Sequence, residues 1–181
     1  MEYLDVVDER GVPTGEVVSR EVAHRDGIRH RTTHIWIARR AAGRWQVLLQ
    51  KRSAQKDSFP GCYDTSSAGH VQAGDEPLPS AIRELGEELG IRATASDLRF
   101  VGTFRIKFDD VFHGRPFRDD EVAFVYLYGR AVDAADLALQ ADEVERVDWF
   151  DLEEVLAACR RGDPRFCVPV GGLELVRTAL G

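Results

Sequence analysis

Residues 69–91 read GHVQAGDEPLPSAIRELGEELGI, and this stretch decides how the rest of the chain is understood. Pro77 suits the first turn of a helix and Gly90 a left-handed cap at its end. On that helix Leu78, Ala81, Ile82, Leu85 and Leu89 recur at helical spacing and make an apolar stripe facing a core. Glu84, Glu87 and Glu88, at i, i+3 and i+4, share the other face. At about 5 Å and an effective dielectric of about 20, each like-charged pair costs roughly 3 kcal/mol. Arg83 is the only cation on the helix, so the cluster calls for a divalent ion. Mg²⁺, or Mn²⁺, takes oxygen ligands and is expected to hold the oxygens of a phosphate substrate against these acids.

The stretch resembles the Nudix box, a glycine followed at fixed spacing by an acid and then by R-E-U-x-E-E-x-G-U, with U apolar. Gly69, Arg83, Glu84, Leu85, Glu87, Glu88, Gly90 and Ile91 match it. Asp75 stands where the family has its first Glu, one methylene shorter, and Glu76 follows directly as a substitute. The resemblance, spanning residues 31–158, implies an α/β/α sandwich with a mixed sheet. It implies metal held by Glu84, Glu87, Glu88 and Gly69, with Arg83 orienting Glu87. In related sequences the segment before the box lines the diphosphate pocket, so Lys51, Arg52 and Lys56 are the expected phosphate-binding cations. A basic surface loop is the alternative reading of those three.

A second likeness lies in the histidines. His24, His30 and His70, with Asp119 and Glu121, are spaced like the metal-binding residues of isopentenyl-diphosphate isomerase, a relative with the Nudix fold. The local matches are His30 with Trp36, Phe59-Pro60-Gly61, and Gly69-His70. Three histidines around one ion would favour Mn²⁺ or Zn²⁺, with affinity falling through the histidine range of pH, whereas the carboxylate box should keep its ion to lower pH. Hydrogen-bonded turn histidines are the alternative. The isomerase motif carries a cysteine just before Gly-His, where this chain has Ala68, and it lacks two of the three box glutamates kept here. Both differences point to hydrolysis, within an isomerase-like branch marked by His24-Arg25-Asp26-Gly27 and by residues 56–61. The expected catalytic residues are Glu87, Arg83 and Glu121, the last as general base, and isomerisation or a non-catalytic ligand-binding module is the alternative.

Composition bounds these readings. The 181 residues fit one domain, with 1–28 an N-terminal extension and 29–181 the core. A net charge of −7 argues against a nucleic-acid scaffold and for a small-molecule diphosphate as partner, a homodimer being left open. Cys62, Cys159 and Cys167 lack metal spacing and read as reduced thiols. No basic and apolar leader or membrane-length run is present, so a cytoplasmic protein without a membrane partner is expected.

Along the chain, residues 3–7 and 16–19 read as a hairpin, and 19–26 as a short helix capped by Ser19 and stopped by Gly27. Strands are expected over 32–38, 45–50, 63–68, 99–108, 121–130 and 144–150. Residues 109–120, with His113, read as a long charged loop at the site's rim. Helices are expected from the Asp151 cap to Cys159 and over 172–180. Trp36, Phe59, Tyr63 and Phe108 are the aromatic residues considered for nucleotide recognition, each more readily placed in a core.

Overall fold

A computed structural model describes residues 2–181. The N-terminal hairpin, β1 (Tyr3–Val7) and β2 (Pro13–Ser19), forms its own two-stranded sheet. It leads into α1 (Arg20–Asp26), where Ser19 Oγ accepts from the Val22 amide at 3.3 Å and Gly27 closes the helix at φ 69°. Leu4 is fully buried, and the Arg31 guanidinium donates to Asp5 at 2.9 Å, which ties the hairpin to the central sheet.

That sheet has seven strands: β3 (His30–Ala41), β4 (Arg44–Arg52), β5 (Tyr63–Asp64), β6 (Ser67–His70), β7 (Leu98–Phe112), β8 (Arg115–Tyr128) and β9 (Val144–Asp151). Central β3 runs parallel to β8, from His30 opposite Glu121 to Ile37 opposite Tyr128. Its other edge changes partner. The first half pairs with β6, Thr32 opposite His70 and Ile35 opposite Ser67, and the end pairs with β4 from Ala38 opposite Val47. Ser66 fills the fork, accepting from the Ile37 amide at 2.8 Å and donating to the Leu48 carbonyl at 2.6 Å. This is why the strand expected over 63–68 is two short pieces.

Alternation along the strands makes two cores, one on each face. Ile35, Ile37 and Leu48 pack against Ala81, Leu85 and Leu89 of α2 (Pro77–Leu89). Trp36, Val47 and Leu49 pack against α3 (Leu152–Arg160) and α4 (Val170–Leu180) through Val155, Leu156, Leu173 and Val176. The result is a mixed sheet between helices, the α/β/α arrangement expected. α2 ends as the sequence implies: Gly90 has φ 70°, and the Ile91 amide reaches back to the Leu85 carbonyl at 3.0 Å.

The charged stretch 109–120 is a correction. It is not a loop but the outer part of the β7–β8 hairpin, paired from Asp109 opposite Arg118 to Phe112 opposite Arg115. Only His113 and Gly114 form the turn, at φ 51° and 73°, the left-handed pair that a two-residue hairpin requires. β2 also starts earlier than expected, at Pro13, and α4 at Val170 rather than Gly172. No helix among the described residues is long and apolar enough to cross a membrane.

Candidate active site

A cavity of about 410 Å³ opens where α2, β6, β8 and α1 meet. Its lining includes Glu84, Glu87 and Glu88 with Gly69, and also His24, His70, Asp119 and Glu121. A Cβ at Gly69 would overlap the Glu84 carboxyl, so glycine here is what leaves room for that carboxylate beside the strand.

Arg83 ties the box together, pairing with Glu84 at 2.8 Å and Glu87 at 3.1 Å and donating to the His70 carbonyl at 3.2 Å. Glu87 is the open member of the cluster, with 54% of its side chain exposed. Glu84 is half-buried and Glu88 buried, and loss of water pushes each carboxyl up to about 7, against the lowering effect of Arg83 on Glu84 and of Ser67 on Glu88. Asp75 and Glu76 are exposed and outside the cavity lining. The Asp75 carbonyl instead accepts from Arg31 at 2.9 Å.

The histidines converge. Ring centroids of His24, His30 and His70 lie 5.1–5.2 Å apart, and one donor atom from each, with a Glu121 oxygen, falls within 4.8 Å of the others. Nδ1 of His24 donates to the Arg20 carbonyl at 3.0 Å and Nδ1 of His30 to the Ile28 carbonyl at 2.9 Å, which leaves both Nε2 lone pairs facing the cluster. Nε2 of His30 and of His70 and Oδ1 of Asp119 are buried without a hydrogen-bond partner among the described residues. Unsatisfied donor-set atoms of this kind, aimed at one point, fit a bound cation. Burial brings the His24 imidazole down to about 4 and holds His70 well below its ordinary value, so both are neutral at physiological pH. Burial and the adjacent Glu121 carboxylate drive Asp119 upward. At Glu121 burial acts in the same direction but is outweighed by His34 and His30, and the carboxylate stays ionised. Thr32 Oγ1 donates to it at 2.9 Å. Glu121 lines the cavity with His30 Nε2 at 3.8 Å and His34 Nε2 at 3.9 Å, a position open to a ligand as well as to the expected general base.

Of the three expected phosphate cations, Lys51 is misplaced: it pairs with Glu145 of β9 at 2.9 Å, outside the cavity lining. Arg52 and Lys56 do line the cavity, Arg52 held by Asp64 at 3.0 Å and Lys56 by Glu143. Trp36 is fully buried core and Tyr63 packs against Phe150 and Phe166 behind the sheet. Phe59 and Phe108, centroids 5.5 Å apart, do face the cavity. Sequence reasoning missed Arg20 and His34. Arg20 lies four residues before His24 on α1, hence on the same face, and His34 alternates with Thr32 and His30 along β3; both line the cavity.

A model of the NUDIX domain matches residues 28–167. The chain belongs to the NUDIX family. An uncharacterized Nudix hydrolase of Clostridium acetobutylicum is 34% identical over 154 residues, covering 85% of this chain and 72% of that protein. Nudix hydrolase 3 of Arabidopsis thaliana is 38% identical over 167 residues, 91% of this chain but 21% of that protein, so the chain spans about a fifth of that relative's length. The crystal structure of DR0079 from Deinococcus radiodurans has the same fold, with a TM-score of 0.71 at 20% identity over 97% of this chain and 98% of that one. The chain is accordingly a Nudix hydrolase by family and fold.

Proposed function

We propose that this Nudix hydrolase cleaves a diphosphate linked to another moiety, with divalent metal held at two places in one cavity, and that it belongs to the isomerase-like branch of the family. The observation that carries the reading is that one cavity is lined both by the box carboxylates and by His24, His70 and Glu121 of the histidine cluster. Glu84, Glu87, Glu88 and the Gly69 carbonyl would hold Mg²⁺ or Mn²⁺, and His24, His30, His70 and Glu121 a transition metal, with Asp119 beside them. Such ions, when bound, acidify water and spread the charge of the phosphates. The rest falls to the chain. Arg83 fixes the exposed Glu87 carboxylate; Arg52, Lys56 and Arg20 present cations to the phosphates; residues 29–181 form the catalytic core, to which the extension 1–28 lends His24.

Phosphate release from nucleoside diphosphates, nucleotide sugars and isoprenoid diphosphates with Mg²⁺ or Mn²⁺ tests the proposal. Hydrolysis of at least one class is expected, and Glu87→Gln should lower turnover about a hundredfold with the fold intact. Interconversion of isopentenyl and dimethylallyl diphosphates in proportion to enzyme, without phosphate release, would instead establish isomerisation and defeat the hydrolytic reading.

A further inference from the structure

Glu88 differs from the other box acids in what surrounds it. It is 4% exposed, and one of its oxygens, Oε2, accepts three hydrogen bonds: from Ser67 Oγ at 2.7 Å, from the Ala68 amide at 3.2 Å and from Gln50 Nε2 at 3.2 Å. The donors come from two strands, β4 and β6, that diverge at the fork filled by Ser66, and the carboxylate spans the gap between them. Ser67 and Gln50 are themselves buried, at 0% and 2% exposure. An ionised carboxylate oxygen offers about two lone-pair sites, so three donors saturate Oε2 and leave it nothing for a cation. Oε1 has no hydrogen bond among the described residues and belongs to a side chain that lines the cavity.

We propose that Ser67 and Gln50 are positioning residues that lock Glu88 as a one-oxygen metal ligand, presenting Oε1 alone to the box cation while Oε2 is anchored to the sheet. The arrangement fixes the carboxylate plane before the ion arrives. It also prevents Glu88 from closing over the ion with both oxygens, which keeps a coordination position for phosphate or water. This rests on the reading of Glu88 as a metal ligand.

Mg²⁺ alone is the probe, titrated calorimetrically into the chelator-treated 181-residue chain, with the metal-free Tm measured alongside. Ser67→Ala, which removes a single oxygen, and Gln50→Met should each weaken Mg²⁺ binding about tenfold. A merely packing role would lower Tm and leave the Mg²⁺ dissociation constant unmoved. Should both variants bind Mg²⁺ as the wild type does while Glu88→Gln loses it, the positioning role is overturned and the ligand role stands. Should Glu88→Gln itself retain wild-type affinity, the metal reading beneath it falls. In crystals soaked with Mg²⁺ the ion should sit on Oε1; an ion held by both oxygens of Glu88 would overturn the one-oxygen geometry even if affinities fall as expected.

Discussion

At Glu84 and Glu88 the low dielectric of the wall, more than any neighbour, sets the acid chemistry, because burial is the largest influence on both and raises each to about 7. The sign of the consequence follows from linkage. Between about pH 4.5 and 7 the folded, metal-free protein holds protons that the unfolded chain has released, so stability falls as pH rises through that window. Each group contributes at most about 3 kcal/mol by this route. Glu84→Gln/Glu88→Gln removes the penalty, and its Tm in chelator should exceed the wild type's by a margin that widens from pH 4.5 to 7 and then levels. A margin that stays constant across that range would show that neither carboxyl is shifted. Gly69 offers a steric counterpart. Gly69→Ala drives a methyl into the Glu84 carboxyl, and the expected result is weakened Mg²⁺ binding at little cost to folding, read from calorimetry and far-UV circular dichroism.

The β7–β8 hairpin shows how an element escapes sequence reading. Asp109, Asp110, Arg115, Arg118, Asp119 and Asp120 make the stretch look like a solvated loop, yet an unbroken register from Gly102 opposite Val125 to Phe112 opposite Arg115 places it in a ladder. Its outer part is solvated, so no apolar alternation marks it; the usable signal was the His113-Gly114 pair. Gly114 at φ 73° has open space around a Cβ, so substitution there meets backbone strain alone. Gly114→Val should cost about 1–2 kcal/mol, felt at the tip as faster amide exchange around Phe112 and Arg115, with Mg²⁺ binding unchanged. Exchange as slow as in the wild type would contradict the turn geometry. By contrast α2 was legible end to end, because its apolar stripe, Pro77 and Gly90 all express local rules. Convergence of the histidines was legible only by resemblance: the parallel register that sets His30 opposite Glu121, and the return of β6 that sets His70 opposite Thr32, depend on contacts between distant segments. For the same reason Lys51 was misread, since strand pairing turned it toward Glu145.

Across the whole molecule the cavity joins the two proposed cation sites, whose protons behave oppositely, and this argues against the order of metal loss that residue types alone suggest. Carboxylates were expected to keep metal to lower pH than imidazoles. In the folded protein burial raises Glu84 and Glu88 to about 7 and lowers His24 to about 4, with His70 also well below its ordinary value. Desolvation penalises the charged form of each, so acids become reluctant to ionise and histidines reluctant to protonate. A metal must displace protons from the box below about pH 7 but meets free lone pairs on His24 and His70 until the medium is more acidic. Sign and window for His24 are then fixed: the unfolded chain takes up this proton below about 6.5 and the folded protein only near 4, so its contribution to stability is present above 6.5 and lost as pH falls toward 4. Counting Mn²⁺ retained on the protein by electron paramagnetic resonance should therefore show two losses on acidification. The box ion leaves first, between about pH 7.5 and 6, and the histidine-bound ion persists to about pH 5 or below. His70→Ala should abolish the later step and spare the earlier, while Glu88→Gln should do the reverse. If His70→Ala instead removes the loss near neutral pH, the order of the two sites is the one residue type alone suggests, and burial does not govern their protons.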